Sequence, residues 1–187
     1  MFSLDKPEEL VKIRLISNIW NNQVDSPEKI ESLFQLPSPD IIVLDQNQQI
    51  ALLVDITTQE ILKNHENNLS KNLSKVSNLY LQNSQENPRF AILANLTEIK
   101  VFKSIKGVFV KPEISLNTGK ILSHYDSEFG EKTIFKFYLQ TLIVSWLRDL
   151  TYHWKSEIPP ASEELEKIGL LAKLKNGETY SQNYEEE

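Results

Sequence analysis

The chain has 187 residues and contains no cysteine, which excludes disulfide bonds, thiolate catalysis and zinc sites built from cysteine. It has five glycines, and none of them stands in the pattern of a phosphate-binding loop. The three histidines are scattered without the spacing of metal ligands. No apolar run reaches the roughly 18 residues of a membrane span. The first residues lack the basic-then-apolar order of a secretory signal, so we expect a cytoplasmic protein that does not insert into a membrane.

Positive charge is also scarce. Lys and Arg total 20 against 26 Asp and Glu, which gives a formal net charge of -6. Strong non-specific binding to DNA relies on clustered basic residues, so this composition argues against it. One locally basic stretch runs from Arg89 to Lys111. It is typical of a solvated sheet edge, and it also leaves DNA open as a partner.

Two β-rich runs separated by a short polar break predict a β-hairpin. The first reads Pro-Asp-Ile-Ile-Val-Leu and the second Ile-Ala-Leu-Leu-Val-Asp-Ile. If Asn47 and Gln48 form a two-residue turn, Asp40 lies directly opposite Asp55. Two carboxylates on one face, with Cβ atoms about 5 Å apart, repel each other unless they are solvated or share a cation. Hard oxygen ligands of this kind suit Mg²⁺.

The rest of the chain predicts an α/β fold with a central mixed β-sheet flanked by helices. Both faces of the hairpin are apolar, so we expect its strands to be central. We expect one domain over residues 1–157, followed by a C-terminal tail over 158–187 that carries a short helix and is disordered from Tyr180. Helices are predicted over 7–20, 26–34, 59–82 and 134–154, strands over 89–94, 98–103 and 108–110, a short turn over 95–97, and a polar loop over 112–132.

The helix over 134–154 is the most hydrophobic segment of the chain. It carries more apolar and aromatic surface than one small sheet requires, which favours a homodimer formed through this helix. A helix that is fully buried within one chain is the alternative interpretation.

The order of helix, Pro-Asp strand, second strand ending in an acid, and helix resembles the PD-(D/E)XK nuclease superfamily. The resemblance covers roughly residues 5–103, and the segment Phe-Tyr-Leu-Gln-Thr-Leu-Ile-Val-Ser-Trp-Leu is similar to small bacterial relatives of that superfamily. It implies a restriction endonuclease-like fold in which Asp40 and Asp55 bind Mg²⁺. From the residues alone, Asp40 could instead be a strand-start residue after proline, and Asp55 could cap the following helix.

The sequence departs from the superfamily at the motif lysine, whose position holds Thr57. Threonine cannot supply the positive charge that stabilises the phosphate or the attacking hydroxide. We therefore expect a weak or inactive Mg²⁺-dependent nuclease, or a non-catalytic scaffold that binds protein or nucleic acid. Lys63 on the following helix is the candidate replacement for the lysine, and Glu9 on the first helix is a candidate additional acid. Each could equally be an ordinary charge on a helix surface.

Overall fold

The computed structural model describes residues 39–47, 49–58, 90–105, 109 and 111–181. They form an α/β fold with one six-stranded mixed sheet flanked by helices, which confirms the predicted fold class. Within the described residues, no helix combines the length and the apolar character needed to cross a membrane. The strands are β1 (Ile41–Leu44), β2 (Ile50–Ile56), β3 (Phe90–Ala94), β4 (Glu98–Lys103), β5 (Pro112–Asn117) and β6 (Glu178–Ser181), and the helices are α1 (Thr118–Leu122), α2 (Lys136–Tyr152), α3 (Ser162–Lys167) and α4 (Leu170–Leu174).

The sheet has the strand order β5-β4-β3-β2-β1-β6. β2 and β3 run parallel, and every other neighbouring pair runs antiparallel. The hairpin strands β1 and β2 therefore lie inside the sheet, as their apolar sequences predicted. All four residues of β1 are buried, and Ile41 and Val43 belong to the apolar core that the sheet forms with the helices.

The hairpin turn differs from the predicted two-residue turn at Asn47 and Gln48. Asp45 N–H donates to the Gln49 carbonyl at 2.8 Å, so three residues form the loop. The Asp45 carboxylate accepts the backbone N–H groups of Asn47 at 2.8 Å and Gln49 at 3.0 Å. This is the local hydrogen bonding by which aspartate stabilises turns.

A bulge in β2 compensates for the extra loop residue. Val43 pairs with Leu52, but the next residue of β1, Leu44, pairs with Ile50, so Ala51 is the additional residue of the bulge. Beyond the bulge the register is the predicted one. The longer loop and the bulge shift the register in opposite directions, so the pairing is unchanged at the end of the hairpin that carries the acids.

The turn between β3 and β4 is the predicted short turn over 95–97. The Asn95 side-chain oxygen accepts the N–H groups of Thr97 at 2.8 Å and Glu98 at 2.7 Å. Thr118 at the start of α1 donates its hydroxyl to the Asn95 carbonyl at 2.8 Å. The turn is therefore tied both to its own strand and to the next helix.

Helix α2 occupies the predicted segment 134–154, two residues shorter at each end. Its apolar side packs on the sheet face formed by alternate residues of β1, β2 and β3. Trp146 is fully buried there, and its indole N–H donates to the Pro160 carbonyl at 3.0 Å. The other aliphatic residues on this side are buried as well, whereas Phe137 and Tyr152 of the same helix are 55% and 52% exposed, so the homodimer through this helix stays a prediction.

The prediction of a loop over 112–132 is wrong in its first half. Pro112–Asn117 forms the edge strand β5, and α1 follows directly, with the Asn117 side chain accepting the Lys120 N–H at 2.8 Å as an N-cap. The predicted strand over 108–110 also fails at its centre, because Phe109 is not in a strand.

The segment after residue 157 contributes to the same sheet. In place of the one short helix predicted for this tail there are two, α3 and α4, and β6 then pairs antiparallel with β1. The expectation of disorder from Tyr180 is therefore wrong for Tyr180 and Ser181, which belong to β6. The predicted helices over 7–20, 26–34 and 59–82 lie outside the described residues.

Candidate functional site

Asp40 and Asp55 converge at the end of the β1–β2 hairpin. Ile41 pairs with Val54, and the same register continued by one residue places Asp40 opposite Asp55. The Ile56 N–H joins the two carboxylates, since its nitrogen lies 2.7 Å from Asp40 Oδ2 and 3.1 Å from Asp55 Oδ1. The Asp40 side chain is buried, whereas that of Asp55 is partly accessible. The two acids that the sequence singled out therefore meet around one backbone amide.

The close approach changes the proton affinity of the pair. Burial raises the pKa of Asp55 to about 7, and the hydrogen bond and negative charge of Asp40 act in the same direction. The charge of Lys136 and the Ile56 N–H act against this rise without cancelling it. Near neutral pH, Asp55 therefore holds a proton for much of the time and bonds through it to Asp40.

The cation at this pair is Lys136. Its Nζ lies 2.9 Å from Asp40 Oδ1. Lys136 is the first residue of α2, so the helix carries the ammonium group to the end of the sheet. With Asp55 protonated, the charges of Asp40 and Lys136 balance. Once Asp55 loses its proton, the group of three carries one net negative charge.

The same helix also holds the backbone of Asp40. Gln140 lies one turn after Lys136 and is 2% exposed. Its side-chain amide donates to the Asp40 carbonyl at 3.4 Å. One face of α2 thus contacts both the side chain and the main chain of Asp40, which restricts the orientation of the carboxylate.

Thr57, at the motif lysine position, has a structural contact instead of a charge. Its N–H donates to the Ala94 carbonyl at 3.0 Å and so extends the pairing of β2 with β3. The positive charge beside the acids comes from Lys136, which lies far from Thr57 in the sequence. Lys63 and Glu9, the two residues predicted to complete the site, lie outside the described residues.

Sequence reasoning missed Lys136, although a signal for it existed. Gln140 interrupts the apolar side of the most hydrophobic helix, and Lys136 stands four residues before it. Residues four apart share one face of a helix, so the two polar groups must approach the same neighbour. A buried glutamine on such a face requires a polar partner, which here is Asp40.

A second cation lies on the same face of the sheet. Asp55 is opposite Leu93 on β3, and Leu93 is opposite Lys100 on β4. Lys100 therefore stands two strands from Asp55, at a backbone distance of about 10 Å given the usual strand spacing. Its Nζ lies 3.1 Å from the Glu98 carboxylate, and its side chain is 15% exposed. Lys100 is thus a second ammonium group on this face, and its charge is balanced by Glu98.

The two carboxylates suit a hard divalent cation that takes only one or two of its ligands from the protein. Among the residues that the structure describes, no group of three or more His, Cys, Asp and Glu side chains converges. Mg²⁺ is commonly bound through one or two carboxylates, with water and substrate phosphate as the remaining ligands. Asp40 and Asp55 fit that mode once Asp55 has lost its proton.

No family model, curated protein or solved structure matches this chain.

Proposed function

We propose that this protein is a Mg²⁺-dependent phosphodiesterase that cleaves nucleic acid and has a restriction endonuclease-like fold. The observation that supports it is the convergence of Asp40, Asp55 and Lys136 at the end of one hairpin. Two acids and one lysine are the residue types of the superfamily motif, and here the lysine comes from α2 instead of from position 57.

Each residue has a distinct task in this proposal. Asp40 and Asp55 would hold the ion, and Asp55 must first give up the proton that it holds near neutral pH. The bound ion would polarise the phosphate and lower the pKa of an attacking water. The Ile56 N–H and Gln140 hold Asp40 in one orientation. Lys136 supplies positive charge where negative charge develops in the transition state.

A non-catalytic scaffold is the second candidate, and a specific observation favours it. Both oxygens of the Asp40 carboxylate already have partners, Lys136 at Oδ1 and the Ile56 N–H at Oδ2. Charges that the protein itself compensates in this way need no ligand. In that case the acids would be structural, and the surface would bind protein or nucleic acid without cleaving it.

Cleavage assays on single-stranded DNA, duplex DNA and RNA, with Mg²⁺, Mn²⁺ or EDTA, test the proposal. We expect metal-dependent cleavage that Asp40→Asn and Asp55→Asn each reduce by about a hundredfold or more, because each removes a ligand charge. Asp45→Asn is the matched control. It lies on the same hairpin, and asparagine retains the side-chain oxygen that accepts the turn hydrogen bonds.

Calorimetric titration separates the two candidates. A phosphodiesterase should bind Mn²⁺ at millimolar concentration or below, with a heat that Asp55→Asn removes. Absence of both metal binding and cleavage in the wild-type protein would rule out the phosphodiesterase. Salt-dependent gel shifts that persist in Asp55→Asn would then support the scaffold.

A further inference from the structure

We infer that Lys136 is a built-in competitor of the divalent cation, which binds only as the ammonium group leaves Asp40 Oδ1. This inference rests on the proposed function and concerns the regulation of the same site. Lys136 thus has two roles: it opposes metal binding before the reaction and supplies positive charge during the reaction.

The contacts of Asp40 carry the first step of the argument. Oδ2 is 2.7 Å from the Ile56 nitrogen, which belongs to the backbone of a central strand and cannot move away alone. Oδ1 is the oxygen that Lys136 Nζ contacts at 2.9 Å. A Mg²⁺ ion binds carboxylate oxygens at about 2.0–2.1 Å. An ion at Oδ1 would therefore lie next to the ammonium group, and two positive charges at such distances repel strongly.

The exposure of the two side chains shows which one can yield. The Asp40 side chain is 4% exposed, whereas that of Lys136 is 42% exposed. Lys136 is also the first residue of α2, where its flexible stem can turn toward solvent without breaking a hydrogen bond of the helix. The carboxylate is therefore fixed, and the ammonium group is the movable partner.

Charge balance gives the exchange its direction. Without a metal ion, Lys136 compensates Asp40 and makes the acid pair tolerable in buried surroundings. When a divalent ion balances the charge of Asp40 instead, the Lys136 ammonium group leaves Oδ1. The backbone of α2 still keeps it near the two carboxylates. The positive charge of Lys136 then becomes available to a phosphate of the substrate. Metal binding and the release of this charge therefore occur together.

Lys136→Met is the variant that tests this competition. It keeps the length and apolar stem of the side chain and removes the charge. We expect the dissociation constant for Mn²⁺, titrated at several pH values and extrapolated to the pH at which Asp55 is ionised in both proteins, to fall roughly tenfold at constant ionic strength, because one opposing charge is absent. Cleavage should fall in the same variant. Lys136→Arg retains the charge and should bind Mn²⁺ within about threefold of wild type.

Calorimetry with MnCl₂ on the full chain provides the primary measurement, and Lys120→Met is the matched control. Lys120 is an exposed lysine of α1, so its removal should leave metal affinity unchanged. Equal or weaker Mn²⁺ binding in a folded Lys136→Met protein would overturn the competition. If the wild-type protein binds Mn²⁺ and cleaves nucleic acid all the same, the proposed function stands. Absence of binding and cleavage in wild type would overturn both.

A second measurement uses the wild-type protein and does not depend on the folding of a variant. Brief acetylation with acetic anhydride, followed by peptide mass spectrometry, reports the accessibility of each lysine. We expect Mn²⁺ to increase the labelling of Lys136 at least about twofold, while Lys120 is labelled equally with and without the ion. Labelling of Lys136 that Mn²⁺ leaves unchanged or reduces would contradict its release.

Discussion

The Asp40 carboxylate accepts the Ile56 N–H at 2.7 Å and so joins β1 to β2 at the residue that follows Asp55. The bond is buried, and its acceptor is a carboxylate, two conditions that make a hydrogen bond strong. Because the donor belongs to the main chain of a central strand, the position of Asp40 does not depend on the rotamer of a neighbour. The site is therefore anchored to the backbone of an internal strand of the sheet.

Asp55 should make the fold less stable as the pH rises through the acid range. Its pKa is about 7 in the folded protein against an ordinary value of 3.8. Between these values the folded chain holds a proton that the unfolded chain has lost. The contribution of Asp55 to the free energy of unfolding is thus fully present below about pH 3.8 and is lost as the pH approaches and passes 7. Asp55→Asn should remove this loss, on the order of 1–3 kcal/mol between pH 4 and pH 8.

Urea unfolding in EDTA at several pH values measures this effect as the difference between wild type and variant. Asp45→Asn should retain the pH dependence of the wild type. An Asp55→Asn protein whose unfolding free energy follows the wild-type pH curve would show that the pair does not share a proton.

Thr57→Lys should restore part of the cleavage that Lys136→Met removes. Residue 57 follows Asp55 by two positions, and alternate residues of an extended chain share a face, so a lysine there can supply the missing charge. In the wild-type background the same change should add little, because Lys136 already supplies that charge. Rates of cleavage for the two single variants and the double variant give the coupling between the positions.

Thr58→Lys is the control for that experiment, since residue 58 is exposed and falls on the opposite side of the chain by the same alternation. Recovery by Thr58→Lys as large as that by Thr57→Lys would mean that the effect is a general one of charge. No recovery in a folded Thr57→Lys, Lys136→Met protein would argue that Lys136 acts by position as well as by charge.

Gly177→Ala should loosen the attachment of β6 to the hairpin. A Cβ atom at Gly177 would lie 2.1 Å from the Leu44 carbonyl oxygen and 3.0 Å from that of Leu174, both of which are backbone atoms. We expect a loss of about 1–3 kcal/mol in the free energy of unfolding. At Gly130 nothing lies within 4 Å of the added atom, so Gly130→Ala should change stability by less than about 0.5 kcal/mol.

Chemical denaturation compares these two glycine variants directly, and hydrogen exchange at β1 and β6 locates the change. Equal stabilities for the two variants would mean that β6 can shift to accommodate the methyl group.

Asp149→Asn should destabilise the protein most at neutral pH. Asp149 is fully buried on α2 and accepts hydrogen bonds from the Tyr125 hydroxyl at 2.8 Å and from the N–H groups of Lys155 at 2.9 Å and Ser156 at 3.0 Å. Burial raises the pKa of Asp149, but these bonds outweigh it and hold the pKa below its usual range. Its stabilisation is therefore present above the unfolded pKa and is lost as the pH falls.

We expect Asp149→Asn to cost about 1–3 kcal/mol at pH 7 and less near pH 3, as measured by thermal unfolding at both pH values. Tyr125→Phe removes only the bond from the Tyr125 hydroxyl and should cost less. A cost of Asp149→Asn that is the same at both pH values would contradict the assignment of the stabilisation to the ionised carboxylate.

The sequence was sufficient for the elements whose signal is local. Alternating or continuous apolar residues identified β1 to β4, and the apolar period identified α2. The register of the hairpin was right even though its turn was wrong, because the extra residue Ala51 in β2 offsets the register change that the longer loop causes. The apolar pattern of the strands therefore determined the pairing of Asp40 with Asp55 more strongly than the turn did.

The two edge strands could not be predicted in the same way. β5 reads Pro-Glu-Ile-Ser-Leu-Asn and β6 reads Glu-Thr-Tyr-Ser, and neither contains a fully buried residue. Their conformation depends on pairing with β4 and β1, partners that a local window does not contain. Lys136 was missed for a related reason. Its contact with Asp40 joins the start of α2 to the start of β1, which lie far apart in the sequence.

The pairing of β6 with β1 has a consequence for biosynthesis. The hairpin can form as soon as its residues leave the ribosome, but the outer edge of β1 then stays open until residues 178–181 are made. An unpaired strand edge is a template for association with other chains, and apolar Ile41 to Leu44 would stand on it. We therefore expect a chain that lacks residues 178–181 to be more prone to association than the whole chain, because β6 occupies this edge.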